Sequence, residues 1–162
     1  MSDAKAAFEA TLKKYEAVLG RVVASYARPS DQDDLAQEIA VALWHALPTF
    51  RGGCAERTFV IRVAHNRALT HLARRRAGGE EMPELSDGAP NPETRASDRQ
   101  EVDRLFAAIR RLSIPYRQVL TMALDDLSHA EIGACLGLTT NNVAVRLNRA
   151  RAALRQEMEQ SR

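Results

Sequence analysis

Residues Leu127 to Leu154 read LSHAEIGACLGLTTNNVAVRLNRARAAL, and this stretch decides the fold. Ser128 is placed to cap a helix, and Glu131 stands three residues later, where it completes a capping box. Ile132 and Leu136 are four apart and share one apolar face. Gly137 fits a tight turn, because glycine enters left-handed backbone space without a Cβ penalty. Thr139 or Thr140 can cap a second helix, in which Val143, Leu147, Ala150, Leu154 and Met158 repeat as a buried stripe. Its other side carries Asn141, Asn142, Arg146, Asn148, Arg149, Arg151 and Arg155. A short helix, a tight turn and a basic second helix describe a helix-turn-helix, whose early second-helix residues face base edges. Spacing and charge also fit a plain helical hairpin with a solvated arginine face. DNA binding is the sharper of the two readings.

The 162 residues suffice for one ordinary domain or two small ones. The net charge of +2 is uninformative, but its distribution is not. Residues 51–77 hold seven arginines against Glu56 alone, and residues 78–103 hold eight acidic side chains against two basic ones. The remainder, 104–162, is basic again, with nine against five. Two basic blocks separated by an acidic one suggest two nucleic-acid contacts in one chain. No apolar run is long enough to span a membrane, and Asp3 with an amphipathic start argues against a secretory leader. Cys54 and Cys135 form neither a disulfide framework nor a metal-ligand pair by spacing, so reduced thiols are the simplest account. Cys135 reads as a small apolar packer and Cys54, beside Gly52 and Gly53, as exposed. His45, His65, His71 and His129 make no zinc pattern, and no nucleophile turn or phosphate-cradling loop appears. No catalysis, metal or cofactor is assigned.

In chain order, Phe8, Leu12, Tyr15, Leu19, Val22 and Tyr26 predict one amphipathic helix over about 5–27. A second, from Asp31 to Leu47, carries Leu35, Ile39, Leu43 and Leu47 every four residues, with Trp44 expected mainly in the core. Its acidic start either complements the helix dipole or docks a protein. After the break PTFRGGCAE, a third helix runs to about Arg76 with Phe59, Val60, Val63, Ala64, Ala68 and Leu72 inward. The Gly-, Pro- and acid-rich stretch from 78 reads as a tether. Helices over Ser97–Leu112 and, capped by Ser113, to Leu124 precede the helix-turn-helix. The expected fold is all-α: two small helical domains, 5–77 and 98–158, joined by a flexible acidic linker, 78–97.

Four stretches in order, DLAQEIAVALWHALPTFRG, TFVIRVAHNRALTHLARRR, RQVLTMALDDLSHAEIGACLG and VAVRLNRARAAL, resemble the extracytoplasmic-function group of the bacterial sigma-70 family. The likeness covers about 8–77 and 98–158, which would be the family's region 2 and region 4. It implies a cytoplasmic initiation factor that binds RNA polymerase core, selects a promoter and helps to open it. Asp34, Gln37, Glu38 and Trp44 would dock on the clamp helices of the largest polymerase subunit. Phe50, Arg51, Arg57, Phe59 and Arg62 would serve the minus-ten element, where a flipped non-template base is captured. Asn66, Arg67, His71, Arg74 and Arg75 on the same helix would lie near the melting duplex.

For the minus-thirty-five element the resemblance implies Thr139, Thr140, Asn141, Asn142, Ala144, Val145 and Asn148 near base edges. Arg146, Arg149 and Arg151 would hold phosphates, and nearby apolar helices would meet the polymerase flap tip. An anti-sigma partner is also expected, and no membrane insertion. The chain departs from the common pattern at Phe59 for tryptophan, His65 for arginine and Thr70 for aspartate. Asn141 and Ala144 stand for a frequent glycine and lysine, so the promoter sequence does not carry over. The competing expectations are a stand-alone helix-turn-helix regulator, which would need a symmetric dimer, and a protein-interaction adaptor.

Overall fold

The computed structural model describes residues 2–79 and 96–162, and among them all regular structure is helical. The N-terminal group comprises α1 (Ser2–Lys14), α2 (Glu16–Tyr26), α3 (Gln32–Ala46) and α4 (Glu56–Ala77). The C-terminal group comprises α5 (Ala96–Arg111), α6 (Ile114–Leu124), α7 (His129–Leu136) and α8 (Thr140–Gln160). Most of the linker expected over 78–97 lies outside the described residues.

One expected helix is two. The chain breaks at Tyr15, whose φ of −106° and ψ of 15° leave the helical region. No proline or glycine marks the break, and the apolar pattern runs through it. The Tyr15 hydroxyl instead donates to Glu56 at 2.9 Å, and Lys14 Nζ reaches the same oxygen at 3.3 Å, joining the kink to the start of α4. Helix α1 buries no residue completely.

Within the first group α4 packs on both α2 and α3, and Val22, Leu35, Leu43, Val60, Ile61, Ala64 and Ala68 lose all exposure. The four-residue repeat of α3 thus aims inward as its spacing requires. Truncating Leu35 or Leu43 to alanine would cost about 2–5 kcal/mol. Trp44 departs from expectation: it is 43% exposed, with its ring edge-on to Phe8 at 5.1 Å. His65 is buried beneath the same helices, where Nδ1 shares a 2.9 Å hydrogen bond with the Tyr26 hydroxyl. Burial pushes the His65 pKa down to about 3, so the ring is neutral.

In the second group α8 is the hub, packed by α5, α6 and α7. Ile109, Val119, Met122, Ile132, Val143, Leu147 and Ala150 form its core. Ser113 does stand at the start of α6, but its side chain makes no capping bond.

The two groups touch along a polar seam. Arg21 Nε of α2 donates to Asp125 Oδ1 at 2.6 Å, and the Asp125 side chain is fully buried. Thr58 of α4 donates to Glu131 Oε2 of α7 at 2.7 Å. Arg110 Nη1 donates to the Ala24 carbonyl at 2.9 Å, and the Arg117 guanidinium lies 5.4 Å from the centre of the Tyr26 ring. The arrangement is closed.

Candidate nucleic-acid and partner surfaces

Local chemistry builds the helix-turn-helix as the sequence requires. Ser128 Oγ accepts from Glu131 N at 3.1 Å while Glu131 Oε1 accepts from Ser128 N at 3.0 Å, a complete capping box. These bonds, together with that from Thr58, hold the Glu131 carboxyl below its usual range. Gly137 turns the chain with φ +69°, and Leu138 N then donates to the Gly133 carbonyl at 2.9 Å. Gly133 is a residue the sequence reading passed over. A Cβ there would stand 2.5 Å from the Leu138 carbonyl oxygen, so the turn folds back onto α7 only because that side chain is missing.

Thr139 caps α8, its Oγ1 accepting from Asn142 N at 3.1 Å. Val143, Leu147 and Ala150 face inward. The opposite face exposes Thr140, Asn141, Asn142, Val145, Asn148, Arg149 and Arg151, with Ala144 and Arg146 half-buried. Such a face has amides for base edges, the Val145 side chain for a thymine methyl, and arginines for phosphates.

A second surface lies on the loop before α4 and on that helix. Phe50 and Phe59 pack with ring centroids 4.9 Å apart, and the Arg62 guanidinium sits 5.8 Å from the Phe59 ring. Phe59 itself is 8% exposed, so Phe50 is the outer ring of the pair. Arg51, Arg62 and Asn66 are exposed, and Arg57 is half-buried near Asp125 and Glu131, on whose charges it acts.

Farther along α4 the structure joins residues that the sequence had assigned to different partners. Glu38 receives Arg74 Nη2 at 2.6 Å, lies 3.1 Å from His71 Nδ1, and pairs with Arg67 Nε at 3.6 Å. Arg75 grips Asp31 through both guanidinium nitrogens, one at 2.6 Å. His71 is buried, whereas Arg74 remains more than half exposed. Expected polymerase contact and expected DNA contacts therefore meet across the α3–α4 junction.

The outer face of α3 keeps Asp34, Gln37 and Trp44 exposed. Val41, 57% exposed, lies between Gln37 and Trp44 on the same stripe. Its spacing of four from Gln37 and three from Trp44 was the signal that could have found it. The acidic and apolar stripe offers both charge and contact area to a protein. Among the described residues no helix is long and apolar enough to cross a membrane, and no cluster of three metal-ligating side chains occurs.

Comparison with known proteins identifies the family. Family profiles described as Sigma-70 region 2 and Sigma-70, region 4 match residues 8–78 and 103–154. The RNA polymerase sigma factor NccH of Alcaligenes xylosoxydans xylosoxydans is 30% identical, over 91% of this chain and 84% of its own. The ECF RNA polymerase sigma-E factor of Escherichia coli is 29% identical over the same shares. A solved structure of CnrH in complex with the cytosolic domain of CnrY superposes with a TM-score of 0.70 at 26% identity, covering 98% of this chain and 91% of that one. The sigma factor RpoE of Bartonella quintana, solved with the anti-sigma factor NepR, shares the fold at a TM-score of 0.72 and 17% identity, over 96% and 98% of the two chains. Two regions in order, on two small helical domains, make this chain a member of the sigma-70 family of RNA polymerase sigma factors, in its extracytoplasmic-function group.

Proposed function

We propose that this alternative sigma factor, which directs RNA polymerase to promoters, divides the work between residues 5–77 and 98–158. The exposed stripe Asp34, Gln37, Val41 and Trp44 docks on the clamp helices of the largest core subunit. Its carboxylate steers the encounter and Trp44 supplies buried area. Glu38 holds Arg67 and His71 against α3, so that Arg62, Asn66 and the outward part of Arg74 reach the opening duplex. The loop from Phe50 to Arg57 receives an unstacked non-template base, for which Phe50 is a stacking surface.

Helix α8 enters the major groove of the minus-thirty-five element. Thr140, Asn141, Val145 and Asn148 read bases there, and Arg146, Arg149 and Arg151 hold phosphates. The chain acts by capturing open DNA, without bond chemistry, in the cytoplasm. Because one structural relative was solved with the anti-sigma factor NepR, and another with the cytosolic domain of CnrY, an anti-sigma protein that covers the core-binding surfaces is the expected partner here.

The single observation that carries this reading is the exposed amide-rich face of α8 behind a fully built capping box and turn. Promoter titration with core-bound Asn141→Ala and Arg149→Ala tests it. The first should relax preference at particular base positions by about 1–3 kcal/mol, as loss of a bidentate base contact does. The second should weaken every sequence alike and flatten the salt dependence. Unchanged specificity and affinity in both would overturn the assignment of α8.

A further inference from the structure

Only two cysteines occur in this chain, 81 positions apart, and the seam between the domains brings their elements together. The Thr58–Glu131 hydrogen bond, at 2.7 Å, pins the first turn of α4 to α7. Cys54 lies four residues before Thr58, in the turn that leads into α4. Cys135 lies four residues after Glu131, on the same face of α7. Both thiols are free and half-buried. Gly52 and Gly53, next to Cys54, have no atom within 4 Å of where a Cβ would stand, and Gly52 has φ +77°. Space around both glycines is open.

The Cys135 thiol has its pKa raised, first by burial, while the Arg62 charge lowers it and the Cys54 and Glu131 charges raise it.

We propose that Cys54 and Cys135 are an oxidative modification site, where a peroxide joins them in a disulfide that staples the two domains closed. The Cys54 thiol gives up its proton, its thiolate attacks one peroxide oxygen and the O–O bond breaks. The departing hydroxide takes up that proton, leaving a sulfenic acid and one water. Cys135 sulfur then attacks Cys54 sulfur and displaces hydroxide, which leaves as a second water with the Cys135 proton. Two thiols lose two electrons and two protons, and the peroxide is reduced to two waters. A thiol reductant reverses the step by exchange.

The consequence for transcription rests on the promoter reading; the linkage itself does not. Minus-ten and minus-thirty-five elements stand about 25 base pairs apart, or roughly 85 Å at ~3.4 Å per pair. A compact chain of this length has a radius of gyration of only ~15 Å. The closed molecule cannot reach both elements at once, so the domains must part at the seam, and a bond from Cys54 to Cys135 forbids it.

The test treats the full chain with hydrogen peroxide, alkylates the remaining thiols, and maps peptides by mass spectrometry. Core-dependent transcription is measured alongside, before oxidation, after it, and after added thiol reductant. The expected result is a 54–135 cross-linked peptide in the monomer, with transcription lowered roughly tenfold or more and restored by reductant. Cys135→Ser should transcribe normally and ignore the oxidant. Should that variant fail to fold, loss of the cross-linked species in Cys54→Ser makes the same point.

Independent oxidation of the two thiols, or linkage only between chains, overturns the proposal. A linked monomer that still transcribes at the reduced rate overturns the staple. The reduced chain in the same assay separates either failure from a failure of the promoter reading.

Discussion

Arg21 on α2 and Asp125 at the end of α6 meet at 2.6 Å, a partly exposed guanidinium on a carboxylate with no exposed surface. Burial raises the Asp125 pKa, and the hydrogen bond and charge of Arg21 oppose that rise. The bond joins two domains that, under the proposed promoter reading, must separate. It is both a stabiliser and a restraint.

Removing one partner of this pair should cost more than removing the charge it serves. Arg21→Ala strands a buried carboxylate and should lose about 1–3 kcal/mol in urea unfolding at neutral pH, while Asp125→Asn should lose less. The folded-state pKa of Asp125 lies above its unfolded value, so its charge opposes folding at neutral pH and that cost fades as pH falls through the raised pKa. The Arg21→Ala deficit should therefore shrink on acidification. Equal deficits for the two variants, constant with pH, would contradict this account of the seam.

His65 works in the other direction. Its pKa is pushed from 6.5 to about 3, so the unfolded chain takes up a proton that the native ring refuses. Stability from this site is whole above 6.5 and is lost as pH falls from there toward about 3, by up to about 1.4 kcal/mol per pH unit. In His65→Gln the acid-side slope should flatten, at a cost near neutrality of about 1–3 kcal/mol for the disturbed Tyr26 bond. Urea titrations between roughly pH 7 and pH 4.5, which cover the upper part of that loss, supply the comparison. An unaltered slope would assign the acid sensitivity elsewhere.

Alanine in place of a helical glycine ordinarily stabilises by about 0.5–1 kcal/mol. At Gly133 the sign should reverse, because the new Cβ meets the Leu138 carbonyl oxygen at 2.5 Å. We expect a loss of about 1–3 kcal/mol, comparable to overpacking a core, against about 1 for Ser128→Ala at the cap. Thermal unfolding of the two variants decides it, and a stabilised Gly133→Ala would show that the turn is looser than described.

What the sequence made legible follows from the range of the forces involved. The capping box at Ser128 and Glu131, the left-handed Gly137 and the inward stripe of α8 are set within a few residues, and each stands where periodicity and turn chemistry put it. The break at Tyr15 coincides with a hydrogen bond to Glu56, 41 positions away, and no local breaker announces it. Trp44 fell on the edge of a wide apolar stripe, and only the packing of α1 and α4 decides that it faces outward. Glu38 could be read as an acidic docking residue or as a dipole partner. Its three partners on α4 become visible only once α3 and α4 are packed. The meeting of the Cys54 turn with the Cys135 helix is hidden for the same reason, since cysteine spacing along a chain carries no information about a seam between domains.

The most direct measurement is multi-round transcription on a fragmented genomic library, with polymerase core alone and with core plus this protein. The account predicts distinct new start sites that appear only with both components and share two upstream elements. Folded protein and active core that yield no new start sites, with the isolated chain binding a duplex site as a dimer, would contradict it.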